Sequence, residues 1–235
     1  MDLKKIVDEY EMILVGLGEA FEEKTDSLES DTELSGLALD YKRKLYFDNN
    51  TGSIDEAYEK LSKILENKNY FIVTLSRDDK IYKSPLQKNR IVAPCGTHNA
   101  LQCEEVCTKD IYSLDDYSEK ILKGEDICCP HCGKPLVMNK IGNGKYSEEG
   151  YLSQWQLYTK WLQHTLNKKL LIIELGVEMK YPSVIRWPFE KTCYINAKAK
   201  FFRVNDYLYH MTEEIKERGI GIKEDPVEFL RNQIV

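Results

Sequence analysis

The spacing of the cysteines constrains this chain more than any other feature. Cys103 and Cys107 form one close pair, and Cys129-Pro130-His131-Cys132-Gly133 forms another, with 21 residues between the pairs. Two close pairs about twenty residues apart match the spacing of a tetrahedral site with four cysteine ligands. The proline stiffens the entry to the second pair, and the glycine lets backbone amides turn toward the thiolate sulfurs. Cys128 competes with Cys129 as a ligand, and His131 competes with any of the cysteines; the knuckle favours Cys129. The expected site is a structural zinc held by Cys103, Cys107, Cys129 and Cys132, with no coordination position left open for catalysis. Metal ligation also spares a loop-rich insert from building a core of its own.

The charge balance is acidic, with 33 Lys+Arg against 39 Asp+Glu and a net charge of −6. No basic stretch stands out, so nucleic acid is not an expected partner. Apolar runs such as Leu170 to Ile173 are far too short to span a bilayer, so no membrane partner is expected either. The start, Met-Asp-Leu-Lys-Lys, lacks the apolar core of a signal peptide. A cytoplasmic location is expected, where thiols stay reduced and serve as ligands, catalytic groups or small buried residues. Nothing in the sequence sets an oligomeric state.

Hydrophobic patterning suggests strands alternating with helices. Asp2 to Tyr10 reads as a helix, and Met12 to Val15 as a buried strand entering Gly16-Leu17-Gly18. Residues 22–52 read as polar loop with some helix at Leu37 to Leu45. Ser53 and Glu56 form a capping box for a helix whose buried face is Ala57, Leu61, Ile64 and Leu65. Tyr70 to Leu75 and Leu170 to Leu175 are further buried strands, with a helix over Ser153 to Leu166 between them. Thr192 to Asn196 reads as a fourth strand. Asp206 would cap a helix through Leu208, Met211 and Ile215 that ends at Gly219, and Asp225-Pro226 opens a last short helix. The fold class is therefore α/β: a Rossmann-like parallel sheet with helices on both faces and an inserted small zinc-binding module. The expected division is 1–94 and 151–235 for the two parts of the sheet domain, with 95–150 as the insert.

These motifs, in this order, resemble those of the sirtuins. Gly16-Leu17-Gly18 stands for the family's Gly-Ala-Gly, and Thr74-Leu75-Ser76-Arg77-Asp78 for its Thr-Gln-Asn-Ile-Asp. Cys95-Gly96 stands for its catalytic His-Gly, Gly176-Val177-Glu178 for its Gly-Thr-Ser, and Ile195-Asn196 for its Ile-Asn. The run Leu175 to Phe189 and Pro135-Leu136-Val137-Met138-Asn139 are similar to the macrodomain-linked (class M) bacterial sirtuins, which also lack the catalytic histidine and are associated with ADP-ribosyl transfer. The resemblance covers roughly residues 10 to 200.

The resemblance implies NAD as cofactor and an acylated or lipoylated protein as substrate. It assigns cofactor contacts to Gly16, Gly18, Ser76, Arg77, Asp78, Gly176, Glu178 and Asn196. Asp78 would accept from the carboxamide of nicotinamide, and Asn196 would touch a ribose. Arg77 stands where the family has an apolar residue, and a guanidinium suits a carboxylate or phosphate. The catalytic candidates are Cys95, which replaces the histidine, Asp78, and His98 as a substitute base. The family's Asp-Phe-Arg motif is absent from Glu22 to Gly52. Two functional expectations follow. One is an NAD-dependent ADP-ribosyltransferase or deacylase with altered catalytic residues. The other is an inactive sirtuin-fold module that binds a nucleotide or a partner.

Overall fold

Runs that bury every side chain need cover on both faces, and that requirement places the centre of this fold. A computed structural model describes residues 2–24, 36–142 and 144–234. It sets β1 (Met12–Leu17), β2 (Asn69–Thr74) and β3 (Ile91–Val92) beside β7 (Leu170–Leu175), β8 (Lys200–Val204) and β9 (Gly219–Ile222). All six strands are parallel, in the order β3-β2-β1-β7-β8-β9. Leu14 lies opposite Phe71 on one side and Ile172 on the other. The order reverses between β1 and β7, so a crevice opens at their carboxyl ends.

Alternate residues of the strands feed two cores. On one face, Ile13, Val15, Ile72 and Ile173 pack under α1 (Leu3–Asp8), α3 (Ser53–Ile64) and α7 (Pro226–Arg231), which contribute Val7, Leu61 and Phe229 among others. On the opposite face, Leu14, Phe71, Ile172 and Phe201 pack under α5 (Leu152–Gln163) and α6 (Arg186–Ile195) through Tyr158, Trp161, Phe189 and Cys193. Each such fully buried side chain contributes roughly 1.5–3 kcal/mol. A separate antiparallel sheet, ordered β5-β4-β6, comprises β4 (Gly96–Cys103), β5 (Tyr112–Ser113) and β6 (Leu136–Lys140). With α4 (Ser118–Leu122) it encloses a small core of Leu101, Leu114, Ile121, Leu136 and Met138. The helix α2 (Gly36–Asn49) lays Leu37, Ala38 and Tyr41 against that core.

Several sequence expectations are corrected. Thr192 to Asn196 is the last turn of α6; Phe189 and Cys193, four apart, form its buried stripe. Residues 207–218 form no helix. Asn205 Oδ1 instead accepts from the amides of Tyr207 and Leu208, and arginines take the carbonyls of Leu208 and His210 that a helix would need. Gly219 opens β9 and does not close a helix. The cap of α3 is Gly52, whose amide donates to Asp55 at 2.9 Å, one position before the expected Ser53–Glu56 pair. The helix in the polar stretch is longer than Leu37 to Leu45, and residues 25–35 of that stretch lie outside the described residues. Asp225 does cap the last helix, accepting from Val227 and Glu228 with Pro226 in the first turn.

Glu174 interrupts the apolar run of β7, directly opposite Arg203 of β8. Arg203 donates to Glu174 at 2.7 and 3.2 Å, to Glu190 at 2.7 Å and to the His210 carbonyl at 2.6 Å. Arg186 adds bonds to Glu174 at 3.0 Å, Val177 O at 2.8 Å and Leu208 O at 3.2 Å. Both Glu174 and Arg203 are buried. Burial raises the Glu174 carboxyl, and the two guanidiniums oppose that shift. Removing one partner leaves an uncompensated buried charge, so Arg203→Met is expected to cost about 3–5 kcal/mol. Urea unfolding checks this: the double change Glu174→Met with Arg203→Met should recover much of the loss.

Candidate functional site

The four cysteines of the expected metal site converge. The sulfurs of Cys103, Cys107, Cys129 and Cys132 lie within 4.8 Å of one another. Cys103 and Cys132 are 3.5 Å apart, and Cys107 and Cys129 are 3.6 Å apart. Zinc–sulfur bonds of about 2.3 Å in a tetrahedron place sulfurs about 3.8 Å apart, so the donor set fits zinc. The Cys107 amide leads the groups that lower the Cys103 thiol to about 6, with the Glu105 amide also contributing. At Cys129, desolvation is outweighed by the amides of His131 and Cys132. The Cys132 thiol beside it pushes Cys107 up, and Cys132 is raised too, so two of the four thiols hold their protons until a divalent cation displaces them. Cys128 is exposed and stands outside this cluster.

The loops leaving β1, β2, β7 and β8 meet at the crevice. Gly16 faces the α6 side of the sheet: a Cβ there would lie 2.5 Å from Ile185 and 2.7 Å from Phe189. Gly18 lies against the next loop, where a Cβ would stand 2.1 Å from Gly176 O. Gly176 has φ +61, and a Cβ on it would meet Ala20 at 2.4 Å. These glycines therefore let two loops and a helix approach closely, which accounts for them without a phosphate. The Glu178 amide donates to Glu19 Oε2 at 3.0 Å, while Glu19 Oε1 is buried with no partner.

The loop after β2 is folded in on itself. Ser76 donates to Asp78 at 2.9 Å, and the amides of Glu23 and Lys80 donate to Asp78 at 2.9 and 3.0 Å. Asp78 is buried, and burial raises its carboxyl. Most of its acceptor capacity is thus spent within the chain. Arg77 points to Glu22, with Nε and Nη2 at 2.9 and 2.6 Å from one carboxylate oxygen. Asp79 takes the left-handed conformation, φ 61, and accepts from Thr97.

Between this loop and the small module lies a cleft of about 360 Å³, whose lining includes Glu22, Arg43, Arg77, His98, Lys140 and Lys180. His98 arrives on β4, with its amide donating to Arg77 O at 2.8 Å. Its ring packs edge-on to Phe47 of α2, its Nδ1 has no hydrogen-bond partner, and Asp40 stands 3.8 Å away. Burial, followed by the Lys140 ammonium, pushes the imidazole down to about 3, so it stays neutral. Thr97 and Asn99, the neighbours of His98 along β4, line a second cavity of about 430 Å³.

Two expected residues do not fit their expected roles. Cys95 is fully buried, and burial pushes its thiol up to about 12, which removes it as a base or a ready nucleophile. Asn196 lies at the far end of the sheet, donating to Thr165 O at 2.9 Å and Lys168 O at 3.2 Å just before β7 begins. It cannot reach a ribose at the crevice. Asn205, directly after β8, stands at the crevice instead and donates to Val177 O at 3.2 Å. The true strand, Lys200–Val204, was its signal. Sequence reasoning also passed over Glu22, Asp40 and Lys140, because their pairing depends on how α2 and β6 meet.

No family model matches the chain. It is 25% identical over 183 residues to a protein ADP-ribosyltransferase of Staphylococcus aureus (strain Mu50 / ATCC 700699), covering 73% of this chain and 58% of the relative. It is 25% identical over 135 residues to a probable bifunctional ADP-ribose hydrolase/ADP-ribosyltransferase of Fusarium oxysporum f. sp. cubense, covering 51% of this chain and 23% of that protein. The chain thus spans less than two thirds of either relative. Among solved structures, a Sir2 enzyme superposes with a TM-score of 0.59 at 14% identity, over 98% of this chain and 95% of that one. Sir2Tm bound to a propionylated peptide gives 0.59 at 15%, over 98% and 96%. A Sir2–p53 peptide–NAD+ complex gives 0.57 at 16%, over 98% and 96%. The chain has the sirtuin fold.

Two measurements test the site. Metal analysis should find zinc bound, retained in Cys128→Ser and lost in Cys129→Ser, with chelation lowering the melting temperature. Asp79 titrates at about 7 against an ordinary 3.8, raised first by burial and then by Asp78, with the Thr97 hydroxyl opposing. A raised carboxyl gives stability that is complete below the unfolded value and is lost as pH climbs through the folded one. Asp79→Asn, which tolerates the left-handed backbone, should therefore remove a fall in stability between about pH 4 and 7 in thermal melts.

Proposed function

We propose that this chain binds NAD in the cleft beside His98 and transfers ADP-ribose to a protein acceptor, and that it is nearest to the macrodomain-linked bacterial sirtuins. The observation that carries this reading is the similarity, across most of the chain, to a protein ADP-ribosyltransferase. The shared sirtuin fold supports it. The division into a sheet domain of 1–94 and 151–235 with a module at 95–150 belongs to the same proposal, as does an acylated or lipoylated protein as the acceptor.

NAD would supply a ribose carbon activated by its nicotinamide leaving group. The chain's own residues bear on what can attack that carbon. Deacylation of the sirtuin kind requires a base for a ribose hydroxyl. Cys95 holds its proton, and His98, though neutral, is a weak base in its buried setting. Transfer to an acceptor that needs little deprotonation places less demand on these residues, which favours ADP-ribosyl transfer over deacylation. The ordering groups are Asp78, which organises the loop after β2, and Asn205, which holds Val177 at the crevice.

A second reading has one specific observation behind it. Asp78 and Arg77 spend their polar groups on the chain itself, as they would in a module that binds a nucleotide without turnover. Thermal shift separates the readings. NAD and ADP-ribose should raise the melting temperature, Asp78→Ala should lose the shift, and nicotinamide should appear by chromatography when acylated or lipoylated acceptors are present. A shift without nicotinamide supports the second reading. No shift with either nucleotide overturns both.

A further inference from the structure

Four cations line the cleft, and their partners differ. Asp40 accepts from Arg43 at 2.9 Å and from Lys140 at 2.7 Å, so one carboxylate serves two of them. Lys180 stands 5.5 Å from the Tyr181 ring centroid and has no carboxylate within ion-pair distance among the described residues. Among the described residues the Arg77 guanidinium is held by Glu22 alone, and both of its bonds reach the same oxygen. The Arg77 backbone is fixed independently, since its carbonyl accepts from the His98 amide.

A guanidinium presents parallel donors that match carboxylate and phosphate oxygens alike. Glu22 therefore occupies Arg77 in the way an anionic ligand would. The pair is partly open to solvent, at 23% and 19% exposure. A pair that keeps some contact with water is exchanged more readily than a fully buried one. A diphosphate brings two charges and several oxygens to the same place, and Lys180 lines the same cleft without a competing carboxylate. Glu23 provides an internal comparison. It lines the same cleft, but its carboxylate pairs with Lys80 at 3.4 Å and not with Arg77.

We propose that Arg77, with Lys180 nearby, is the seat for the diphosphate of the nucleotide ligand, and that Glu22 fills this seat until the ligand displaces it. This rests on the nucleotide-binding reading above. Glu22 is then an internal competitor that sets how tightly the cleft holds its ligand. Nothing about its displacement requires a change in the strands or in the zinc module.

Calorimetry with ADP-ribose and with inorganic pyrophosphate tests this on the full chain, its Glu22→Gln, Glu23→Gln and Arg77→Gln variants, and the Glu22→Gln/Arg77→Gln double variant. Glu22→Gln should tighten both ligands by about threefold to tenfold, the latter corresponding to about 1.4 kcal/mol. Glu23→Gln should change them little, Arg77→Gln should weaken both, and in the Arg77→Gln background Glu22→Gln should have no further effect. If ADP-ribose binds the unmodified chain but Glu22→Gln and Glu23→Gln act alike, or the Glu22→Gln gain survives without Arg77, the seat is overturned and the nucleotide reading stands. If neither ligand binds any version, both are overturned. Should Arg77→Gln fail to fold, the contrast between Glu22→Gln and Glu23→Gln decides alone.

Discussion

The pairing of Glu174 with Arg203 is the contact on which the open edge of this sheet depends. Two adjacent parallel strands each carry one charge into a layer that otherwise excludes water, and neither charge is tolerable without the other. The guanidinium of Arg203 then reaches past Glu174 to Glu190 and the His210 carbonyl. Arg186 collects the carbonyls of Val177 and Leu208. One buried carboxylate thereby ties two strands, the start of a helix and an irregular segment into one corner. The loops that frame the crevice on this side inherit their positions from that corner.

The opposite side of the crevice is built differently. There Gly16 and Gly18 leave out side chains, so that Ile185, Phe189 and the Gly176 carbonyl can approach closely. Polar groups of Ser76, Asp78 and Lys80 are satisfied by neighbouring amides and carboxylates rather than left open. The two sides meet over a cleft lined by four cationic and two acidic side chains, and its one buried imidazole is uncharged. Such an arrangement suits a ligand that carries negative charge, and it is poorly suited to generating a strong base. The same contrast divides the sirtuin fold of this chain from the chemistry its replaced residues can support.

Much of the fold was legible because burial on both faces leaves a continuous apolar run, as in β1, β2 and β7. The cysteine pairs were legible because metal geometry is encoded in local spacing. Where the pattern misled, a tertiary contact had outweighed a local preference. Thr192 to Asn196 carries strand-forming residues, yet Phe189 and Cys193 bury a helical stripe. Asp206 has the form of a helix cap, but the carbonyls after it belong to arginines from other elements. Asn196 matched a motif whose strand lay elsewhere, so its expected role at the crevice failed with that strand. The partners of Arg77, His98 and Lys140 could not be read at all, since they come from segments far apart in sequence.

Strand β4 begins beside the cleft at Gly96 and ends in Cys103, a member of the sulfur cluster. His98 and Cys103 are thus two points on one strand, whose pairing with β6 is irregular between Gly96 and Leu101 and regular from Leu101 to Cys103. The sulfur cluster stands apart from the cleft, yet it anchors the far end of the strand that carries the imidazole. Loss of the metal would therefore be felt in the cleft as lost alignment of His98 rather than as lost chemistry, which makes the shape of the cleft sensitive to the metal supply of its surroundings.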